Sequence, residues 1–512
     1  MRMRIKDVVI IGAGVSGLAA GIYAEQHGLH AIILEKNPSI GGLCTGWYRK
    51  GHYLDGCIHW LTGTKDGCDL NKMWKNVHAF NGGDDIVHLP SFGTFEYEGT
   101  EVPFYSDIDK AEQAWLEISP EDKKQIHRFF NKVRDFMKVS SPVTTPIGKM
   151  NIFKLLGYGL KVLSVFPSYL LTMKMDNYKY AKKFKHPALR NAVDKIQAGK
   201  GNLFQVLYSY STIASGNGGV PIGGSVAMIN NMKDYFLSLG GTIRTSALVK
   251  DVIVRNKNVT GVVINNGVII DCDYLIPACD SHYFLHNILK DQYQKRKFYK
   301  HLFDFQKNPT PSSTLVFLNF KKDIKKDYIY HFECEPFMVG KQTVTGIHMR
   351  DYSYDSTICS KGNSVVSILL NQFQEDYDYW KKLSKDKNAY RLEKQRVAND
   401  VISRIIKRFP ELEGNIELLD VSTPHTLYRY THNFKGAYMP FAFTSKNRMY
   451  WDNGRVKGLS NVYMASQWMA SPGGLPFALA TGTWAVQKVC LKERIKYLLG
   501  DKPSMSLSKK NS

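Results

Sequence analysis

Three glycines, Gly12, Gly14 and Gly17, follow the apolar run Val8–Ile11 and precede small and apolar residues at helical spacing, among them Leu18, Ala19, Ala20 and Ala24. The pattern G-x-G-x-x-G between a strand and a helix is what a pyrophosphate needs. The first glycine permits the tight turn, the second lets backbone approach the phosphates, and the third lets helix and strand pack closely. Ala13 and Ser16 lie within the same turn. The helix that follows would turn its free N–H groups and positive dipole end toward the anion. A second apolar run, Ala31–Leu34, ends in Glu35 and Lys36. A carboxylate at that distance can accept hydrogen bonds from ribose hydroxyls, and it disfavours a 2′-phosphate, so NADP is not expected.

A second small-residue stretch, "NVYMASQWMASPGGLPFALATG", stands at Asn461–Gly482. It reads as strand, loop and helix, with Gln467, Trp468, Gly474, Leu475 and Pro476 at the loop and helix start. Other residues with chemical potential are His59 and Trp60, and the aromatic run that holds Tyr428, Arg429, Tyr430 and Tyr438. No metal site, nucleophile elbow or Cys-His pairing is read from the spacings. The eight cysteines contain no C-x-x-C pair. They read as scattered reduced thiols, which suits a cytoplasmic protein.

These groups must be positioned by an α/β fold. Alternation over Val249–Val254 and Val259–Ile264, with turn residues at Asn256–Asn258 and Asn265–Gly267, predicts a β-meander. A chain of 512 residues exceeds a single ordinary core, so at least two domains are expected. The net charge of +22 favours an anionic partner. With no nucleic-acid motif, nucleic acid is not expected, and an acidic membrane surface is. The segment Lys149–Arg190 has an apolar part interrupted by Lys154, Lys161 and Pro167, then Lys174, Lys179, Lys182, Lys183 and Lys185. It is expected not to span a membrane but to lie at its surface, the alternative being a helix of the second domain with a solvated basic end.

The residues after Glu35 carry a resemblance. Gly41 and Gly42 form a paired-glycine loop, followed by Leu43 and then by "GHYLDG" at Gly51–Gly56. Together with the Asn461–Gly482 stretch, they make the chain similar to the amine oxidase and phytoene desaturase superfamily of flavoproteins. The resemblance is closest to phytoene desaturases, carotenoid isomerases and retinol saturase. It implies FAD as cofactor, held by Gly12, Ala13, Gly14, Ser16, Gly17, Glu35, Lys36, Gly41, Gly42 and Leu43, with Val249 beside the adenine. It further implies that Gln467, Gly474, Leu475 and Pro476 approach the flavin end. Leu43 stands where many members have arginine. Ser466 and Gln467 stand where members often have glycine and an acidic residue.

The resemblance implies a discontinuous Rossmann-type FAD-binding domain over 1–61, 209–280 and 422–495, a mixed α+β substrate domain over 62–208 and 281–421, a helical membrane-facing part, and a polar tail over 496–512. It implies an oxidoreductase acting on carbon–carbon bonds, by desaturation or saturation, of a long apolar, isoprenoid or polyene substrate; the charge and the cysteines add the expectation of a cytoplasmic protein at a membrane surface. His59, Trp60, Tyr428, Tyr438 and Trp468 are the pocket candidates. The alternatives within this resemblance are a non-redox polyene isomerase, a flavin amine oxidase and a flavin-binding protein without catalysis.

Overall fold

The computed structural model describes residues 5–138, 166–196, 201–293, 295–360, 362–447 and 450–498. At its centre is a parallel sheet in the order Thr242–Arg244, His30–Leu34, Asp7–Ile11, Tyr274–Pro277. The strand Asp7–Ile11 is sealed on both faces, which is why its sequence is a continuous apolar run rather than an alternating one. The far edge is completed by the C-terminal chain: Leu275 bridges Val462 in parallel, and Ala465 donates to the Pro277 carbonyl at 2.8 Å. Asn461 fixes this addition, since its amide bonds the Val259 backbone in both directions and also the Asp273 carbonyl.

The expected meander forms over Val249–Arg255, Asn258–Ile264 and Ile269–Asp271. Its first turn holds Asn256 and Lys257 at positive φ, the left-handed pair that matches hairpin twist. Beyond it stands a seven-stranded sheet in the order Ile416–Ser422, Ser312–Phe320, Ser364–Gln372, Gln342–Asp351, Ile329–Val339, Ser91–Tyr97, Thr100–Tyr105. Strands from both long intervening segments thus share one sheet, joined where Ile329–Val339 pairs in parallel with Ser91–Tyr97. One face of this sheet is covered by the helices Gln374–Leu383 and Lys387–Arg408, whose Trp380, Val397, Val401 and Ile405 are buried against it. Part of the other face packs on Tyr53 and Leu54, and another part lines a cavity.

A separate layer of helices, including Ile108–Ile118, Lys123–Met137 and Leu203–Ala214, packs around Trp115, Phe129 and Phe130. Of the segment expected at a membrane surface, residues 149–165 lie outside the described residues. The remainder is drawn into this layer, with Tyr180, Phe184 and Leu189 in its core. Leu170 and Leu171 stay exposed. No described helix is long and apolar enough to cross a membrane. Of the tail expected over 496–512, Tyr497 stacks on His27 at 4.6 Å, and Leu498 donates to the His27 ring; residues 499–512 are outside the described set.

Candidate dinucleotide and substrate site

The first glycine turn is built by close approach. Gly12, at φ +101°, follows the strand Asp7–Ile11, and a Cβ on Gly17 would stand 1.9 Å from the Gly12 carbonyl oxygen. Only glycine permits that contact. Gly14 caps the helix Val15–Gln26, whose first turn has neither a side-chain cap nor an acidic residue. A Cβ on Gly14 would meet only the Gly41 carbonyl, at 3.6 Å, so the space beside it is open. The paired-glycine loop docks here: the Gly41 N–H donates to Ala13 O at 2.9 Å, and both Gly41 and Gly42 have positive φ. Glu35 is buried at the end of its strand. Its carboxylate accepts the N–H groups of Ala13 at 3.0 Å and Asn37 at 2.9 Å. A carboxylate has about four acceptor positions, so capacity remains for hydroxyl donors.

The second cluster meets the first. The helix Leu475–Lys492 packs along Val15–Gln26, with a seam of Ala19, Ala20, Ala480 and Gly482. The Ser16 hydroxyl donates to Ala478 O at 2.7 Å, so it stitches the two helices together rather than standing free for a ligand. Both helices therefore direct uncapped N-termini to one region. Gln467 holds the loop before the second one: its Oε1 accepts from Gly474 N at 3.0 Å, and its Nε2 donates to Tyr438 O at 3.2 Å. A neutral amide can do both, whereas a carboxylate at this position could only accept.

A cavity of about 1070 Å³ joins these elements. At one end it is lined by Gly12, Gly14, Ser16, Glu35, Lys36, Gly41, Gly42, Leu43 and Val249. Gln467, Gly474, Leu475 and Pro476 line it further along, as do His59, Trp60 and Tyr438. Ala13 and Gly17 lie behind its wall and shape the turn. Two pocket candidates are not brought to it. Trp468 is buried among Phe298, Phe434 and Phe441, and Tyr428 packs on Tyr377 at 5.1 Å. Burial alone pushes the Tyr438 hydroxyl up to about 12, so it stays protonated at neutral pH.

Several site residues escape the sequence reading. Asp55, in the Gly51–Gly56 stretch, is fully enclosed and accepts from Cys57 N, Ile58 N, Ser225 N and Ser225 Oγ at 2.6–3.1 Å. It thereby ties the loop that carries His59 and Trp60 to the start of the helix Gly224–Ser238. Asp280, at the cavity wall, accepts from Tyr283 N at 2.7 Å and Phe434 N at 2.9 Å; burial pushes its carboxyl up to about 7. The inner face of the seven-stranded sheet contributes His331, His348 and Arg350. Burial, then the Arg350 charge, holds the His348 ring down to about 4, and burial, Arg350 and His348 hold His59 well below the usual imidazole range. The signal was present in "GIHMRD" as polar residues at alternate positions. In a strand, that alternation reads as a solvent-facing side.

Fold and site together define a Rossmann-type dinucleotide-binding protein with a second, sheet-based chamber on the same cavity. Residues 10–77 match the NAD(P)-binding Rossmann-like domain. The prolycopene isomerase of Daucus carota is 24% identical over 456 residues, covering 86% of this chain and 72% of that enzyme. The lycopene-forming phytoene desaturase of a Paracoccus species is 27% identical over 280 residues, covering 51% of this chain and 52% of that enzyme. A solved putrescine oxidase variant has the same fold, with a TM-score of 0.58 at 13% identity over 95% of this chain and 99% of that one. By sequence the chain is similar to phytoene desaturases and carotenoid isomerases, and its fold is that of the solved putrescine oxidase.

Proposed function

We propose that the protein is an FAD-dependent oxidoreductase that acts on carbon–carbon bonds of a long apolar chain. One observation carries this: a single cavity runs from the glycine turn and Glu35 to a chamber on the inner face of the seven-stranded sheet. At about 1070 Å³ it exceeds the ~300–1,000 Å³ usual for one small ligand, so cofactor and substrate share it. The residues fit the cofactor. Gly14 leaves open space beside an uncapped helix start, as a diphosphate requires, and Glu35 has acceptors to spare for ribose. Gly12, Gly14, Gly41, Gly42, Glu35, Lys36 and Val249 would hold its dinucleotide part. Gln467, Gly474, Leu475 and Pro476 would line its redox end. FAD, when bound, would supply hydride acceptance or donation. The chain's own residues orient a substrate along the chamber and keep water from it, with His59, Trp60 and Tyr438 at its walls.

On this reading the FAD-binding unit comprises 1–61, 209–280 and 422–495, and the substrate unit 62–208 and 281–421. A non-redox isomerase is the second reading, favoured by the relative that spans 86% of this chain and is named a prolycopene isomerase. An amine substrate is disfavoured, because Arg350 lies at the chamber wall and repels a cation. Exposed Leu170 and Leu171, beside exposed Lys174, Lys179, Lys182 and Lys183, support docking on an acidic lipid surface from which such a substrate would be drawn.

The test is anaerobic. The purified, FAD-loaded protein is mixed with polyene lipid extracts while the visible flavin band is followed. Bleaching, with a dehydrogenated product by mass spectrometry, is the expected result. Isomerised product with no net change in flavin oxidation state would establish the second reading. A protein that cannot be loaded with FAD would overturn both.

A further inference from the structure

Arg350 is 4% exposed, yet it lines the cavity, and its Nη1 has no hydrogen-bond partner. No carboxylate among the described residues forms an ion pair with it. Asp55, which acts on the same two tyrosines, Tyr352 and Tyr354, has both oxygens taken by Cys57, Ile58 and Ser225. The Tyr354 hydroxyl lies beside the guanidinium but is neutral, so it offers no counter-charge. Beside Arg350, on the same face of the strand Gln342–Asp351, stands His348, directly opposite His331 across the sheet. His331 is 6% exposed, also lines the cavity, and its Nε2 is unpartnered. Burial is the main force keeping these rings neutral, and the charges that reinforce it are positive: Arg350 on His348, Lys195 on His331. A buried guanidinium without a carboxylate partner and two neutral imidazoles therefore line the same space.

A guanidinium cannot shed its proton to escape burial. Left without an anion, it loses its hydration for nothing in return. Before substrate enters, water in the cavity can solvate it. A purely hydrocarbon substrate that filled the chamber would expel that water and strand the charge. A substrate with an anionic end would restore the charge balance and give the fork of Arg350 a planar partner. One fixed positive charge with neutral imidazoles matches a single negative charge, which favours a carboxylate over a doubly charged phosphate.

We propose that Arg350, with His348 and His331, forms an anion-binding end of the chamber, and that the substrate is a long apolar chain terminated by a carboxylate. The inference rests on the proposed function for the chamber's role, and it adds the chemistry of the substrate's end group.

The experiment uses the FAD-loaded protein and direct binding, without turnover. Parinaric acid, a fluorescent conjugated long-chain acid, is titrated beside its methyl ester and beside a long-chain alkyl phosphate. The acid is expected to bind about tenfold or more tighter than the ester, the usual worth of a charge-assisted contact. Arg350→Met should remove that preference by weakening acid binding, and Arg350→Lys should keep part of it. Should Arg350→Met fail to fold, the wild-type acid-to-ester ratio and His348→Asn still decide. Equal binding of acid and ester by the wild type overturns the proposal. So does tighter binding of the alkyl phosphate, which would assign the end group to phosphate. Loss of FAD from Arg350→Met with the acid preference absent would make Arg350 a cofactor contact instead. Acid binding without flavin bleaching leaves the anion end standing and defeats only the redox reading.

Discussion

Substitution of Gly482 by alanine tests whether the second glycine cluster acts through the first. A Cβ at Gly482 would stand 2.5 Å from the Ser16 carbonyl oxygen and 3.1 Å from Ala19 Cβ and Ala20 N. The nearest atom is backbone, so no side-chain rotation relieves the clash. The helices Val15–Gln26 and Leu475–Lys492 must separate by roughly 1 Å before ordinary contact returns, because packed interiors have little slack. Overpacking of this kind costs about 1–3 kcal/mol. Better helix propensity of alanine offsets about 1 kcal/mol. The expected net loss is therefore about 0–2 kcal/mol, read as a melting temperature lower by up to about 2 °C in a chain this large. Separation also shifts both helix N-termini away from the cavity. A helix terminus is worth about 1 kcal/mol to a bound anion, so FAD affinity should fall about fivefold. Gly21→Ala is the control. It lies on the first helix but away from the seam, where its Cβ would meet the buried Phe236 ring at 2.7 Å, so it overpacks the core without touching the second helix. Flavin titration and thermal melts of both variants decide. Unchanged melting and unchanged flavin affinity in Gly482→Ala would refute the coupling, and so would an equal flavin loss in Gly21→Ala.

Gly14→Leu should leave the protein folded, since a Cβ there meets nothing nearer than 3.6 Å, yet abolish flavin retention; a folded variant with normal visible absorbance would defeat the site assignment. Asp280 should make stability fall with rising pH. Its folded value is near 7 and its ordinary value is 3.8, so the native state holds a proton that the unfolded chain has released across that window. Stability contributed by this proton is lost as pH rises from about 4 through 7, by at most about 4 kcal/mol. Asp280→Asn should flatten this slope in urea unfolding between pH 5 and 8, and an unchanged slope would be the contrary result. Leu171→Glu should weaken flotation with anionic vesicles several-fold with FAD content unaltered; equal flotation would remove Leu171 from any lipid contact.

The parts of this protein that were legible in its sequence are those where backbone geometry dictates residue type. Gly12 and Gly17 are glycine because one bends at positive φ and the other abuts a carbonyl, and such demands leave a mark at fixed spacing. The meander was legible for the same reason: alternation reports a sheet with one wet face. Ser16 shows where this stops. Its place in the turn suggests a ligand contact, but its hydroxyl is engaged by Ala478, 462 residues away, and only the packed structure reveals that partner.

The chamber was illegible for a deeper reason. In "GIHMRD" the apolar Ile347 and Met349 alternate with His348 and Arg350, and the pattern is that of an ordinary half-exposed strand. Ile347 and Met349 do enter the core under the helix Lys387–Arg408. The polar side, however, faces an enclosed cavity rather than solvent, because strands from two distant segments close into one sheet over the glycine turns. Periodicity tells which residues share a face. It does not tell what lies opposite, and the medium opposite decides whether Arg350 is a hydrated surface charge or a buried group that requires an anion. The same limit applies to Asp55, whose four donors come from its own loop and from Ser225, 170 residues further along the chain. Local spacing thus carries the glycine-turn end of the cavity, which is made by backbone. The sheet end is made by side chains converging from remote strands, so its chemistry emerges only when the sheet is assembled.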